Sequence, residues 1–226
     1  MKTSVTLLTT ALLASPLTVL AAQSDYTYIE GDFIATGEGE LEGNFNNTPI
    51  GVRGEEDYDG FGFKGSIDIT PNLFIESAYD DIEVDDGDSE FEFLSGGLGL
   101  RTAIGNNANP LDLYGVVTYE SVDGRLLGAD FEADGYGITG GLRWQASPQL
   151  EINPYISHLD YGEIDDSDAD LDGLRFGVDG VFNVNDVFAL TAGYRMTKLE
   201  AEDSTGSIDL DLENEIRLGG RIYLTK

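Results

Sequence analysis

The sequence predicts an all-β protein, a transmembrane antiparallel up-and-down β-barrel of ten strands, with eight strands as the alternative. Three observations carry this reading. The chain opens on an export leader. Beyond the leader, apolar and polar residues alternate with a period of two, the pattern of a strand with one wet and one apolar face. The connections then alternate between tight turns and longer acidic segments, as at the two rims of an outer-membrane barrel.

Residues 1–22 read as a signal peptide. Lys2 precedes an apolar run from Val5 to Leu20, interrupted by threonines and Ser15-Pro16 and ending in Ala21-Ala22-Gln23, with small residues where a signal peptidase cuts. The run is too short and broken to span a membrane as a helix. Residues 23–226 form the barrel, with strands expected near 25–36, 57–70, 73–85, 89–104, 111–123, 130–146, 149–164, 171–183, 187–201 and 206–225. In the last, Ile208, Leu210, Leu212, Ile216, Leu218, Ile222 and Leu224 fall on one face. Asp209, Asp211, Glu213, Glu215, Arg217 and Arg221 fall on the other. Pro, Gly and Asn mark tight turns at Thr70-Pro71-Asn72, between Gly105 and Pro110, at Ala146-Ser147-Pro148 and between Asn183 and Asp186. The longer loops are expected from Gly37 to Glu56, Asp85 to Asp88, Asp123 to Ala129, Asp165 to Asp170 and Glu202 to Gly206.

A soluble barrel or β-sandwich alternates too, with its apolar set turned inward. Aromatics near both strand ends favour the membrane: Trp144, Phe182 and Phe188 by the short turns, and Phe61, Tyr79, Phe91, Phe93, Tyr119 and Tyr136 nearer the loops. The basic residues favour it as well. Lys64, Arg101, Arg143, Arg175, Arg195, Arg217 and Arg221 all lie opposite the apolar face of their strands. One such residue against mid-bilayer lipid costs about 2–4 kcal/mol, and several would exceed the roughly 5–15 kcal/mol that holds a domain folded. Inward parity puts them in the lumen with Glu30, Asp32, Asp68, Glu76, Asp112, Glu120, Glu151, Asp179, Glu213 and Glu215, where opposite charges are expected to pair and fill the bore.

Three segments resemble a family of small, OmpA-like outer-membrane β-barrel proteins of proteobacteria. Tyr26-Thr27-Tyr28-Ile29-Glu30-Gly31-Asp32-Phe33 is similar to its opening strand. The stretch from Asp59 to Phe74 is similar to its strand, Pro-Asn turn, strand. Arg217-Leu218-Gly219-Gly220-Arg221-Ile222-Tyr223-Leu224 looks like the β-signal read by the barrel-assembly machinery, although Thr225-Lys226 come after it where such chains end on an aromatic. The resemblance covers the first two hairpins and the last strand, with only a general pattern between them. It implies an outer-membrane location and assembly by that machinery, and it supplies no catalytic residues.

The formal charge of -31 excludes the basic stripe that nucleic-acid binding needs, while 41% hydrophobic residues in regular alternation exclude disorder. The chain has no cysteine, hence neither a disulfide framework nor a cysteine-ligated metal. The lone His158, near Asp160 and Tyr161, has no identifiable catalytic partner and reads as a rim residue, so no enzyme is expected. Asp168, Asp170, Asp172 and Gly173, with Asp179 in the twelfth position, match part of a calcium loop. Leu174, Phe176 and Val178 alternate as a strand, however, and place Asp179 in the lumen, out of reach. No catalytic, cofactor or metal site is therefore assigned. The expected partners are outer-membrane lipid and lipopolysaccharide, with divalent cations at the acidic loops. The expected role is structural or surface-directed. The alternatives are a narrow channel for small solutes and an enzyme acting at the outer rim.

Overall fold

A computed structural model describes residues 26–45, 48–50, 55–84, 89–105, 110–126, 129–165, 167, 169–204 and 206–224. The expected signal peptide and the loop at 85–88 lie outside these residues. Ten long strands form the barrel: β1 (Tyr28–Phe45), β3 (Glu55–Thr70), β4 (Leu73–Val84), β5 (Glu90–Ala103), β6 (Leu111–Leu126), β7 (Ala129–Gln145), β8 (Leu150–Glu163), β9 (Asp170–Asn183), β10 (Phe188–Glu202) and β11 (Gly206–Tyr223). A short β2 (Thr48–Ile50) pairs with the far end of β1. Each long strand pairs antiparallel with its sequence neighbour, and β11 closes on β1. Closure leaves no unpaired edge among the ten long strands.

The short turns at 70–72, 146–148 and 183–186 form where the sequence places them, and the expected turn at 106–109 lies outside the described residues. Asn72 donates to the Arg101 carbonyl at 3.0 Å, and Asn185 caps the 184–187 turn by accepting from the Val187 and Phe188 amides. At the other end two strands run well beyond the expected bounds. β1 continues to Phe45 through much of the expected first loop, and β6 continues to Leu126. The low strand preference of the outward acidic residues is offset by burial of their alternate neighbours inside the barrel.

Two residue patterns divide the barrel along its axis. Toward the turns the exterior is apolar: Phe33, Phe63, Ile67, Leu98, Ile138, Phe176, Phe182, Leu190 and Leu218 are exposed, and the interior is charged. Toward the loops the pattern reverses. Ile34, Tyr58, Ile82, Phe91, Phe93, Val122, Leu159, Tyr161, Leu171, Leu199 and Leu212 form one buried cluster inside the barrel, and acidic residues turn outward.

The reversal arises in two ways. In β10 the sequence changes phase: Leu190, Ala192 and Tyr194 point out, while Leu199 is buried inside. In β11 the apolar residues keep their parity and the backbone shifts. Asn214, at φ 53°, sits in a bulge, with matching register shifts on β1 between Ile34 and Glu38 and on β10 between Arg195 and Thr197. Leu210 and Leu212 therefore face the interior, and Asp209, Asp211 and Glu213 face out, contrary to the single-face expectation. Phe91 and Phe93 are likewise core residues, 1% and 6% exposed, and do not join the girdle.

Candidate functional site

The lumen fills in layers, starting at the turn end. The Tyr26 ring lies between the guanidinium groups of Arg101 and Arg143, each 4.0 Å from its centre, and packs on Phe74. Arg101 pairs with Asp68 at 3.0 Å and Arg143 with Glu151 at 2.7 Å. Arg221 stacks on Tyr28 at 3.9 Å and pairs with Glu30 at 2.6 Å. Delocalised guanidinium groups are the cations best suited to such stacking.

Around mid-barrel sits the densest network. Arg217 pairs with Asp32 at 2.5 Å, with Glu215 at 3.2 Å and with Asp80. Arg195 reaches Asp80 at 2.6 Å and Glu215 at 3.5 Å, and it donates to the Tyr155 hydroxyl at 3.2 Å. Tyr58 donates to Glu215 at 3.2 Å from above. The tyrosine rings find room over glycines on neighbouring strands, Tyr58 over Gly37 and Tyr155 over Gly177. A Cβ at either glycine would fall within 2.1–2.3 Å of the ring. Beside this network lies a chamber of about 80 Å³, lined by Lys64, Glu76, Tyr114, Asp179 and Thr191 and by Asp80, Arg195 and Arg217 of the network itself. That is room for a few waters. Lys64 pairs across it with Glu76 at 3.4 Å. Arg175 sits beside Phe93, 5.9 Å from its ring, and meets Thr197 at 3.4 Å. Above, the apolar cluster completes the filling.

All seven basic residues assigned to the lumen by parity lie there. Of the acids, Glu213 does not: the Asn214 bulge turns it outward, where it meets Lys198 at 3.4 Å. Asp80, 6% exposed, is a lumen acid that the sequence assignment omits, although counting from Glu76 through Ala78 reaches it on the inward face. His158 and Asp160 share the outer face of β8, with His158 between Ile138 and Leu174 on the neighbouring strands, whereas Tyr161 is buried inside. In the calcium-like segment, Asp170 and Asp172 point outward on β9 and Asp179 points into the lumen, while Asp168 lies outside the described residues.

Strand register assembles the outward acids into rows. Glu42, Asp209, Glu200, Asp172 and Asp160 are consecutive cross-strand partners on β1, β11, β10, β9 and β8. Asp81, Glu92, Asp123 and Glu132 do the same on β4 to β7, and the Glu132 carbonyl accepts from the Asp165 amide, continuing the line. Among the described residues, the cations within this collar are Arg125, which pairs with Glu90 and Asp130, and Lys198, which pairs with Asp211 and Glu213. Like charges placed directly opposite destabilise a sheet by roughly 0.2–1 kcal/mol per pair. The field of Asp123, then burial and Asp165, holds the Glu132 carboxyl above its ordinary value.

The apolar exterior below the collar is a continuous belt around the barrel. From Tyr136 to Trp144, both exposed, β7 covers about 26 Å of strand, or about 20 Å along the normal at a tilt near 40°. A closed barrel with this belt and a charged bore meets the requirement of hydrocarbon that every backbone polar group be paired internally. No protein-family model matches the chain, and no curated protein sequence does. Solved structures align at low identity. Neisserial surface protein A is 10% identical, with 87% of this chain and 96% of that one covered and a TM-score of 0.37. The outer membrane protease OmpT from Escherichia coli is 10% identical, with 89% and 98% covered and a TM-score of 0.44. The COG4313 outer membrane channel from Pseudomonas putida F1 is 13% identical, with 90% and 97% covered and a TM-score of 0.43.

Proposed function

We propose that this protein is a sealed β-barrel of a bacterial outer membrane, with a structural and surface role: it conducts no solutes and presents an acidic collar at the outer leaflet. The layered filling of the bore carries this reading. A solute would have to pass the Arg–Tyr stack, the Arg217–Asp80 network and then a buried apolar cluster. Ion pairs alone admit water and exchange partners, but an ion crossing a buried apolar cluster would lose its hydration with nothing to replace it.

The alternation of short turns and longer strands supports an extracellular position for the collar, and the terminal Arg217–Leu224 segment suits recognition by the assembly machinery. There the acid rows stand beside the anionic head groups of lipopolysaccharide. Divalent cations bridging carboxylate to phosphate would relieve repulsion on both partners, a role hard oxygen ligands suit. Planar-bilayer recording of the purified protein tests the seal, with no steady single-channel current expected and a stable conductance contradicting it. For the collar, millimolar calcium added to a constant sodium background is expected to raise thermal stability beyond matched ionic strength. An equal effect of the two salts would reduce the collar to a screened field.

A further inference from the structure

The turn-end mouth of the bore holds a ring that comes from outside the wall. Tyr26 lies ahead of β1 and takes no part in the strand pairing, yet it is 2% exposed and turned inward. It completes an alternating stack of cations and rings. Arg101 and Arg143 flank Tyr26, each 4.0 Å from its centre. Tyr28 follows, 5.7 Å from Arg143, and Arg221 ends the row 3.9 Å from Tyr28. The flanking arginines are held by partners of their own. Arg101 donates to the Pro71 carbonyl at 2.9 Å and pairs with Asp68, while Arg143 donates to Glu151 at 2.7 and 3.0 Å. Tyr26 is held differently. Its hydroxyl is buried with no hydrogen-bond partner among the described residues, so ring contact fixes it: the two guanidinium faces, Phe74 at 4.6 Å and the edge of Tyr114 at 6.4 Å. The chain is anchored at the next residue. The Thr27 carbonyl accepts from the Leu224 amide and its hydroxyl from the Asp68 amide, each at 3.0 Å. About this anchor the ring can swing out with every strand pair intact.

Tyr114 also lines the polar chamber, so the chamber adjoins the seat of Tyr26. On the far side the buried apolar cluster shuts the bore. We infer that Tyr26 is a stopper hinged at Thr27, seated in a slot that the wall builds in advance, and that its withdrawal opens the chamber to small solutes from the turn end. The slot needs no rearrangement when the ring returns, because Asp68, Pro71 and Glu151 keep both guanidinium groups in place. Desolvated cation–ring contacts then hold the stopper shut. This device rests on the sealed barrel proposed above: with the apolar cluster closed, an open stopper makes a blind pocket and not a pore.

The chain has no cysteine of its own, so Thr191→Cys, which places a thiol in the chamber wall, reports on access. The measurement is the rate at which a small, water-soluble methanethiosulfonate modifies that thiol in the folded full-length barrel in detergent. With Tyr26 in place the reaction is expected to be slow. Adding Tyr26→Ala is expected to speed it about tenfold or more, the measure of a desolvated cation–ring contact. Tyr26→Leu, which offers the guanidinium groups no ring, is expected to speed it too and serves where the alanine variant does not fold. Tyr26→Phe is expected to protect as well as tyrosine, since the hydroxyl bonds to nothing. Fast reaction with Tyr26 present would overturn the stopper. So would alanine and leucine variants no faster than the parent, or a phenylalanine variant as open as they are. Planar-bilayer recording of Tyr26→Ala keeps the two proposals apart. Fast labelling without current supports both, whereas fast labelling with a steady current supports the stopper and contradicts the seal.

Discussion

The two ends of this barrel solve opposite problems with the same strands. In the belt, the outer surface is apolar and the charges go inside, where Arg217, Arg195 and Arg221 gather carboxylates into pairs. In the collar, the outer surface meets water and the bore is filled by Phe91, Leu199 and Leu212 as in a soluble barrel. The switch between them occurs within single strands over two or three residues. Period-two alternation therefore specifies a strand here without specifying which of its faces looks inward.

The largest effect that separates the two ends should come from Arg217→Ala. It leaves Asp32 without its cation and Asp80 and Glu215 with Arg195 alone, and breaking a buried network of this kind costs about 3–5 kcal/mol. Urea unfolding in detergent measures it, and a loss under about 1 kcal/mol would mean that water in the bore substitutes for the guanidinium.

In the collar half the equivalent change is apolar. Leu199→Ala should cost about 2–5 kcal/mol, because the cavity opens inside packed side chains. Leu218→Ala, on the lipid face, should cost less, since lipid fills the space. Equal losses at the two positions would deny the collar a packed interior.

Much of this division is legible in the sequence, but unevenly. The strands and turns can be read because alternation and Pro-Asn punctuation are local. The inward parity of the seven basic residues can be read because lipid forbids the alternative. Asp80 is within reach of the same count. Glu213 goes to the wrong side because nothing in Asn214 distinguishes a bulge from an ordinary strand residue before the register is known. Phe91 and Phe93 are misplaced for a related reason. The adjacent apolar pair Phe93-Leu94 marks a phase change, and composition does not say which side of it is wet. The acid rows cannot be read at all: Glu42 and Asp209 become neighbours only through closure of the first strand on the last.

Smaller effects are expected from the acid rows. Neutralising Asp172 and Glu200 together, as Asp172→Asn with Glu200→Gln, should stabilise the protein at low salt by roughly 0.2–1 kcal/mol per relieved pair. The gain should fade at high ionic strength, where exposed charges are screened. Destabilisation would mean that these carboxylates make attractive contacts in solution.

The pH response should be smaller still and of unusual sign. Glu132 has its proton affinity raised in the folded protein by Asp123, so the folded state binds protons more readily than the unfolded one. Repulsion is then fully present above the raised folded-state value and is relieved as the pH falls through it toward the ordinary carboxylate range. The collar should gain stability over that interval at low salt, and Glu132→Gln should flatten its share of the gain. A loss instead of a gain between neutral and mildly acidic pH, reversed by Glu132→Gln, would show the opposite coupling.

The reversal of inside and outside along single strands is tested most directly by single cysteines, because the chain has none of its own. Cysteines at Leu190, Leu199 and Glu200 of β10 sample the lipid face, the collar interior and the collar exterior. With a water-soluble maleimide on the folded protein in bilayers, only the Glu200 position should label quickly, while Leu190 and Leu199 stay protected until unfolding. Rapid labelling at Leu199, matching that at Glu200, would show water inside the collar and contradict the reversal.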